Sequence, residues 1–189
     1  MKNKRNILNI RISSTVFCVL IGMRKRREII TDSRYHVTAR VNRNEFIFEP
    51  PFMKAMFLQV IARAKKKYSF QLTMFTVMDN HIHMMIRPVN GESLSRIMQW
   101  ILSVSARAYN KHYGLKGHVW YDRFKSVVIK SYRQRLAAFR YICNNPVKAK
   151  MVDSPENYIF GGLWYILHKR FEFIEPPDRC LVNSLPDLF

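Results

Sequence analysis

His81 and His83 flank Ile82 at the start of an apolar run, and farther along the chain Tyr141 precedes Asn145 and Pro146. Residues two apart on a strand project from one face, so the two imidazoles can reach a single ion. No cysteine and no HxxxH spacing lies nearby, which argues against a structural zinc centre. An open site completed by one oxygen donor suits Mg²⁺ or Mn²⁺ held against a phosphate, where the ion works as a Lewis acid. Taken alone, the triplet equally describes two strand histidines that only form hydrogen bonds.

Tyr141 and Asn145 are four apart, which on a helix is one face and about one turn, ~5.4 Å. Asn145 offers a carbonyl oxygen that could complete a metal shell. Tyr141 offers a phenol, and with a free pKa near ~10 a tyrosine needs a neighbouring cation before it attacks near neutral pH. Tyr109, Tyr113 and Tyr132 compete for that role on residue type alone. Aromatics at helical spacing also commonly serve the core, as expected of Phe139.

The surroundings are strongly basic. Of 189 residues, 32 are Lys or Arg and 13 Asp or Glu, a formal net charge of +19. Self-repulsion of that size is relieved by a polyanion, so nucleic acid is the first partner to consider, with binding that weakens as salt rises. No basic amphipathic helix dominates, so no membrane partner is expected. Phosphate contacts are expected from Arg24, Lys25, Arg26, Arg27, Arg40, Arg43, Arg123, Lys125, Lys130, Arg133, Arg135 and Lys148, with Trp120 and Tyr121 stacking on unpaired bases. The alternative for Trp120 and Phe124 is packing of their loop onto the core. Arg63, Lys65, Lys66 and Lys67 close a helix, where cations suit the dipole without any DNA.

Cys18, Cys143 and Cys180 show no CxxC spacing and fit a reducing compartment, so a cytoplasmic, nucleoid-associated location is expected. The apolar stretch at 16–21 is too short to span a bilayer and no small-residue cleavage site follows it. Residues 1–22 are read as an extension outside the fold, 23–165 as one domain and 166–189 as a tail.

Alternation predicts a strand over 35–41, with Tyr35, Val37, Ala39 and Val41 on one face and His36, Thr38 and Arg40 on the other. Helical spacing follows over 52–67, then strands over 70–78 and 81–87 joined by a turn at Asp79-Asn80. A helix over 94–113 ends before Gly114. A strand over 126–130 and a helix over 132–144, stopped by Pro146, complete the pattern. The order βαββαβ predicts an α+β, ferredoxin-like sandwich: an antiparallel sheet with helices on one face, the other face free for a ligand, and a C-terminal catalytic helix.

The segment Val77-Met78-Asp79-Asn80-His81-Ile82-His83 resembles the HUH motif of single-tyrosine transposases. Residues 141–149 resemble their tyrosine-helix signature, and Tyr35-His36-Val37-Thr38-Ala39-Arg40 and residues 119–126 add matches in the same order. Over about 23–164 the chain resembles the REP-associated tyrosine transposases of the IS200-like family. That resemblance implies an enzyme that binds a palindromic hairpin and cuts single-stranded DNA beside it. The tyrosine forms a 5′-phosphotyrosine link and frees a 3′-hydroxyl that later rejoins strands. Carried over by position, Tyr141 is the nucleophile, His81 and His83 hold Mg²⁺ or Mn²⁺, and Asn145 is the third ligand, where relatives often have Gln. Asp79, Val41 and Lys150 depart from residues common in such enzymes, which are Pro, Gly and Gly in turn. A monomer and a homodimer are both compatible with the motifs.

The rival from another class is a non-catalytic, domesticated nucleic-acid-binding module on the same sheet. Against an RRM-like module stands the strand over 81–87, which carries no Phe or Tyr. A third possibility, a metal-dependent hydrolytic nuclease, would leave no protein–DNA adduct.

Overall fold

In the computed structural model, which describes Ile30, residues 32–178 and Leu181, strand β1 (Arg34–Arg40) alternates as its sequence predicts, with Tyr35, Val37 and Ala39 buried. After it come α1 (Pro51–Lys67), β2 (Phe70–Val77), β3 (His81–Pro88), α2 (Leu94–Tyr113) and β4 (Lys125–Ile129). The catalytic-helix candidate α3 (Tyr132–Cys143) follows, then α4 (Asn145–Lys148) and α5 (Gly162–Leu167). The strands lie in the order β2-β3-β1-β4 and all pair antiparallel, so the expected ferredoxin-like sandwich is present. Element ends fall within a residue or two of the expected positions. No described helix is long and apolar enough to cross a membrane.

Local chemistry explains the boundaries. Pro50 and Pro51 open α1, where a missing N–H costs nothing. The hydroxyls of Ser93 and Ser131 accept from the backbone N–H groups of Arg96 and Gln134, capping α2 and α3. Gly114 ends α2 at φ 65, a left-handed conformation that a side chain resists. Lys150 takes the same region at φ 56, which accounts for the glycine common there in resembling chains. Asp79 also has a local role: it accepts from the buried Lys54 ammonium at 2.6 Å, fixing the β2–β3 turn to α1.

α1 and α2 pack together over the face that carries Tyr35, Val37 and Ala39, with Phe57, Ile61, Ile97 and Ile101 fully buried. One expectation needs correction. The second face of the sheet is not free: α3 lies across it through Phe139, Ile142 and Cys143, whose thiol rests 3.9 Å from Met74 Sδ. The helix expected over 132–144 ends at Cys143, and Asn144 at φ −85, ψ −1 leads on into the short α4, whose second residue, Pro146, needs no donor. The tail after Trp164 is docked as far as it is described: α5 runs through to Leu167, and Phe173 and Ile174 are buried.

That last segment has a structural task. Gly161 bridges Thr76, Val77 N–H donates to Phe160 O at 3.1 Å, and Glu175 N–H to Leu72 O at 2.8 Å. The β2 edge is thereby covered, which removes an open template for strand pairing. Gly162 permits the approach, since a Cβ there would lie 2.9 Å from both Met74 Sδ and Phe75 N.

Candidate active site

The sheet register assembles the site. Thr38 stands opposite His83 and Arg40 opposite His81 across the β1–β3 pairing, while Lys125 of β4 faces Thr38 from the other side. Side chains on one sheet face at paired positions are neighbours, so two histidines of β3 meet the polar face of β1.

His83 is 4 % exposed. Its Nδ1 lies 2.9 Å from Thr38 Oγ1 and 3.0 Å from His36 Nε2. Burial first, then the proximity of His81, His36 and Arg40, pulls its pKa down to about 3, so the ring is neutral at physiological pH. His81 is also shifted down, by burial and Arg40, against an opposing hydrogen bond from the Asn145 side chain. His81 Nδ1–H donates to Asn80 Oδ1 at 2.7 Å. With both Nδ1 atoms engaged by protein, Nε2 is the ring nitrogen that could turn to a ligand, a tautomer assigned from the hydrogen-bond network.

Tyr141 comes down on this pair from α3. Its ring centroid is 5.3 Å from that of His83 and 5.7 Å from that of His36, both edge-on. The ring is 42 % exposed, open to a large substrate, and Lys148 Nζ lies 5.3 Å from its centroid. The near-helical joint at Asn144 keeps Asn145 on Tyr141's side although the two belong to different helices. Asn145 is buried and reaches His81, so Tyr141, His81, His83 and Asn145 are brought together as expected, all from one chain. Among the described residues no group of three or more His, Cys, Asp or Glu is placed to hold a metal. Two neutral imidazoles and an amide oxygen nevertheless fit an open site for a divalent ion, with remaining positions left to water or phosphate.

A cleft of about 610 Å³ opens from these rings, walled by Arg40, Arg43, Arg123, Lys125 and Tyr121. The expected phosphate contacts thus divide. Arg40, Arg43, Arg123 and Lys125 share the cleft; Arg133 and Lys148 line a second hollow on the other flank of Tyr141; Lys130 sits at the far end of β4. Arg24, Lys25, Arg26 and Arg27 lie outside the described residues. Trp120 is placed differently from a base-stacking residue: its indole N–H donates to Leu102 O at 2.9 Å and its ring packs on Phe48 and Phe57. The neighbouring Tyr121 is 73 % exposed at the cleft mouth, and its backbone N–H is anchored on Arg40 O.

His36 and Thr38 are the site residues that had no role in the sequence reading. Alternation puts them on the polar face, but only the register shows that this face receives His83.

A family model described as "Transposase IS200 like" matches residues 29–145. No curated protein matches the chain. Among solved structures, the chain is similar to a REP-associated tyrosine transposase bound to a REP hairpin, with a TM-score of 0.67 and 21 % identity over 77 % of this chain and 86 % of that one. A putative transposase from Deinococcus radiodurans R1 aligns over 65 % of this chain and 97 % of its own, with 15 % identity and a TM-score of 0.44. The first of these two structures has the same arrangement of sheet and helices.

Proposed function

Because the chain belongs to the IS200-like transposase family, and so to a class of DNA-processing enzymes, we propose that it is a single-tyrosine strand transferase acting on single-stranded DNA that carries a palindromic hairpin. The observation that carries this reading is the meeting of the half-exposed Tyr141 ring with His83 and His36 at the head of a basic cleft. The hairpin in the REP-associated relative makes such DNA the substrate to try first.

In this reading the strand enters along Arg40, Arg43, Arg123 and Lys125, whose charges hold its phosphates. Tyr141 Oη attacks the scissile phosphorus, losing its proton as the new O–P bond forms. The bond to the 3′ oxygen breaks, and that oxygen leaves as a hydroxyl. One phosphoester replaces another, so the 5′-phosphotyrosine can be resolved later by a 3′-hydroxyl without an external energy source. A divalent ion held by His81, His83 and Asn145, Mg²⁺ or Mn²⁺ by the donor set, would polarise the phosphate and offset its growing charge. Asn80, Thr38 and His36 keep the two imidazoles oriented, and Tyr121 offers a stacking face to an unpaired base.

The test is a denaturing gel of protein incubated with a labelled single-stranded hairpin from its own gene's flanks and Mg²⁺ or Mn²⁺. A labelled band travelling with the protein is expected, and it should vanish in Tyr141→Phe and with chelator while hairpin binding persists. Cleavage without any adduct would overturn the reading in favour of a hydrolytic nuclease.

A further inference from the structure

The sheet face that carries His36 and His83 ends, at its other extremity, in a cluster of cations with no part in the cleft. Arg34 lies two residues before His36 on β1, and Arg87 four residues after His83 on β3, so both share the site's face. Together with Lys130 and Arg135 they wall a hollow of about 440 Å³ at the first turn of α3. Among the described residues, Asp32 shares this wall and Asp178 stands beside Arg34 and Arg135. Asp178 is paired with Arg135, and the Arg87 guanidinium donates through Nε to Asp32 O at 2.8 Å.

Three features make this an unusual way to decorate a surface. The Nε atoms of Arg34 and Arg135 are buried and, among the described residues, have no hydrogen-bond partner, a costly state for a charged group. Arg34 is held below the usual arginine range by burial and then by Arg135 and Arg87, with only Asp178 opposing. The positive end of α3, a helix of 12 residues, opens on the same wall. Guanidinium forks with spare donors around a small concavity are the chemistry that recognises a phosphate.

We propose that the hollow framed by Arg34, Arg87, Lys130 and Arg135 is a second phosphodiester-binding site, which takes a backbone phosphate of the DNA strand whose cleavage is assigned to Tyr141. It rests on the DNA substrate proposed above but not on the tyrosine chemistry. Position supports the same strand. Tyr132, at the hollow, is nine residues before Tyr141, about 13 Å along the helix axis. That spans roughly four phosphates of a stacked strand at ~3.4 Å each. The way between them runs along β4, whose outer edge pairs with no described strand and whose Val127, opposite His36, is 66 % exposed. In the free protein Asp178 pairs with Arg135, and it gives way when phosphate enters the hollow.

The experiment is fluorescence anisotropy with labelled single-stranded oligonucleotides across a salt series, on wild type, Arg34→Gln/Arg87→Gln, Asp178→Asn and the control Lys66→Gln on the opposite side of the sheet. The double variant should bind a long strand at least about tenfold more weakly. Its plot of log K against log salt should be shallower by about 0.7, the value for one single-strand phosphate. Asp178→Asn should bind more tightly, a change of opposite sign that keeps the test valid should the double variant fail to fold. Lys66→Gln should leave the slope alone. The double variant should melt no lower than wild type, because repulsion is relieved. An unchanged slope together with no tightening in Asp178→Asn would overturn the site, and a lowered melting temperature beside them would make the cluster a structural ion network. If those results accompany normal covalent capture by wild type, only this site falls. If wild type shows no salt-dependent binding at all, the DNA substrate falls with it.

Discussion

On one face of β1, Tyr35, Val37 and Ala39 are 1 %, 0 % and 3 % exposed beneath α1 and α2; on the other, His36 and Thr38 hold His83, and Arg40 stands beside His81. The backbone geometry is the same for both sets, and what differs is the cover. The apolar face buries against two helices and contributes stability at about 25 cal/mol per Å² of apolar surface. The polar face is covered only in part, by α3, and it desolvates imidazoles that would otherwise take up protons. One side of a strand therefore fixes the sheet, and the other keeps histidines neutral and aligned at some cost to stability.

The largest expected effect breaks the supporting face. Val37→Asp places an unpaired carboxylate under α1 and α2 and should destabilise the fold by about 3–5 kcal/mol. Urea unfolding measures it, and a midpoint equal to wild type would show that this face does not carry the sheet. On the other face the consequence should move from stability to catalysis. His83→Ala should lower metal-dependent cleavage by at least about 100-fold while the melting temperature stays near wild type. His36→Ala, which removes only an outer partner of His83, should cost about 10- to 100-fold with hairpin affinity unchanged. If His36→Ala cleaves normally, the contact between the two rings has no bearing on the chemistry.

The smallest effect concerns pH. A histidine held neutral by the fold takes up a proton in the unfolded chain near its ordinary ~6.5, but in the folded chain only near about 3 for His83. The unfolded state then binds more protons between those values, so stability is complete above ~6.5 and is lost as pH falls toward 3. His36 and His81 shift in the same direction. Thermal melts at pH 7 and pH 5 with chelator present should show this loss in wild type and a flatter profile in His83→Gln. Equal slopes would contradict the burial of a neutral ring.

Much of this contrast was legible in the amino-acid order. Period-two alternation over 35–41 separated the two faces of β1, and the spacings of His81 with His83 and Tyr141 with Asn145 placed each pair on one side of its element. These are local facts, decided by backbone geometry within a few residues. What escaped depends on pairing at long range. His36 joins His83 across 47 positions through the β1–β3 register, which no local pattern encodes. Residue type leaves Trp120 open between base stacking and core packing, and only the fold of its loop, which sets the indole on Phe48 and Leu102 O, separates the two. The segment after Trp164, with its prolines, reads as a tail, and where it docks depends on a distant pairing, Glu175 N–H to Leu72 O on β2.

The most direct measurement of the central claim is mass spectrometry of the protein–DNA adduct after nuclease trimming and tryptic digestion. Cleavage after Arg140 and Lys148 releases a peptide in which Tyr141 is the sole tyrosine. The account predicts a residual nucleotide phosphate on that peptide, joined to Tyr141. The same mass on the peptide containing Tyr132, or on those of Tyr109 or Tyr113, would contradict it.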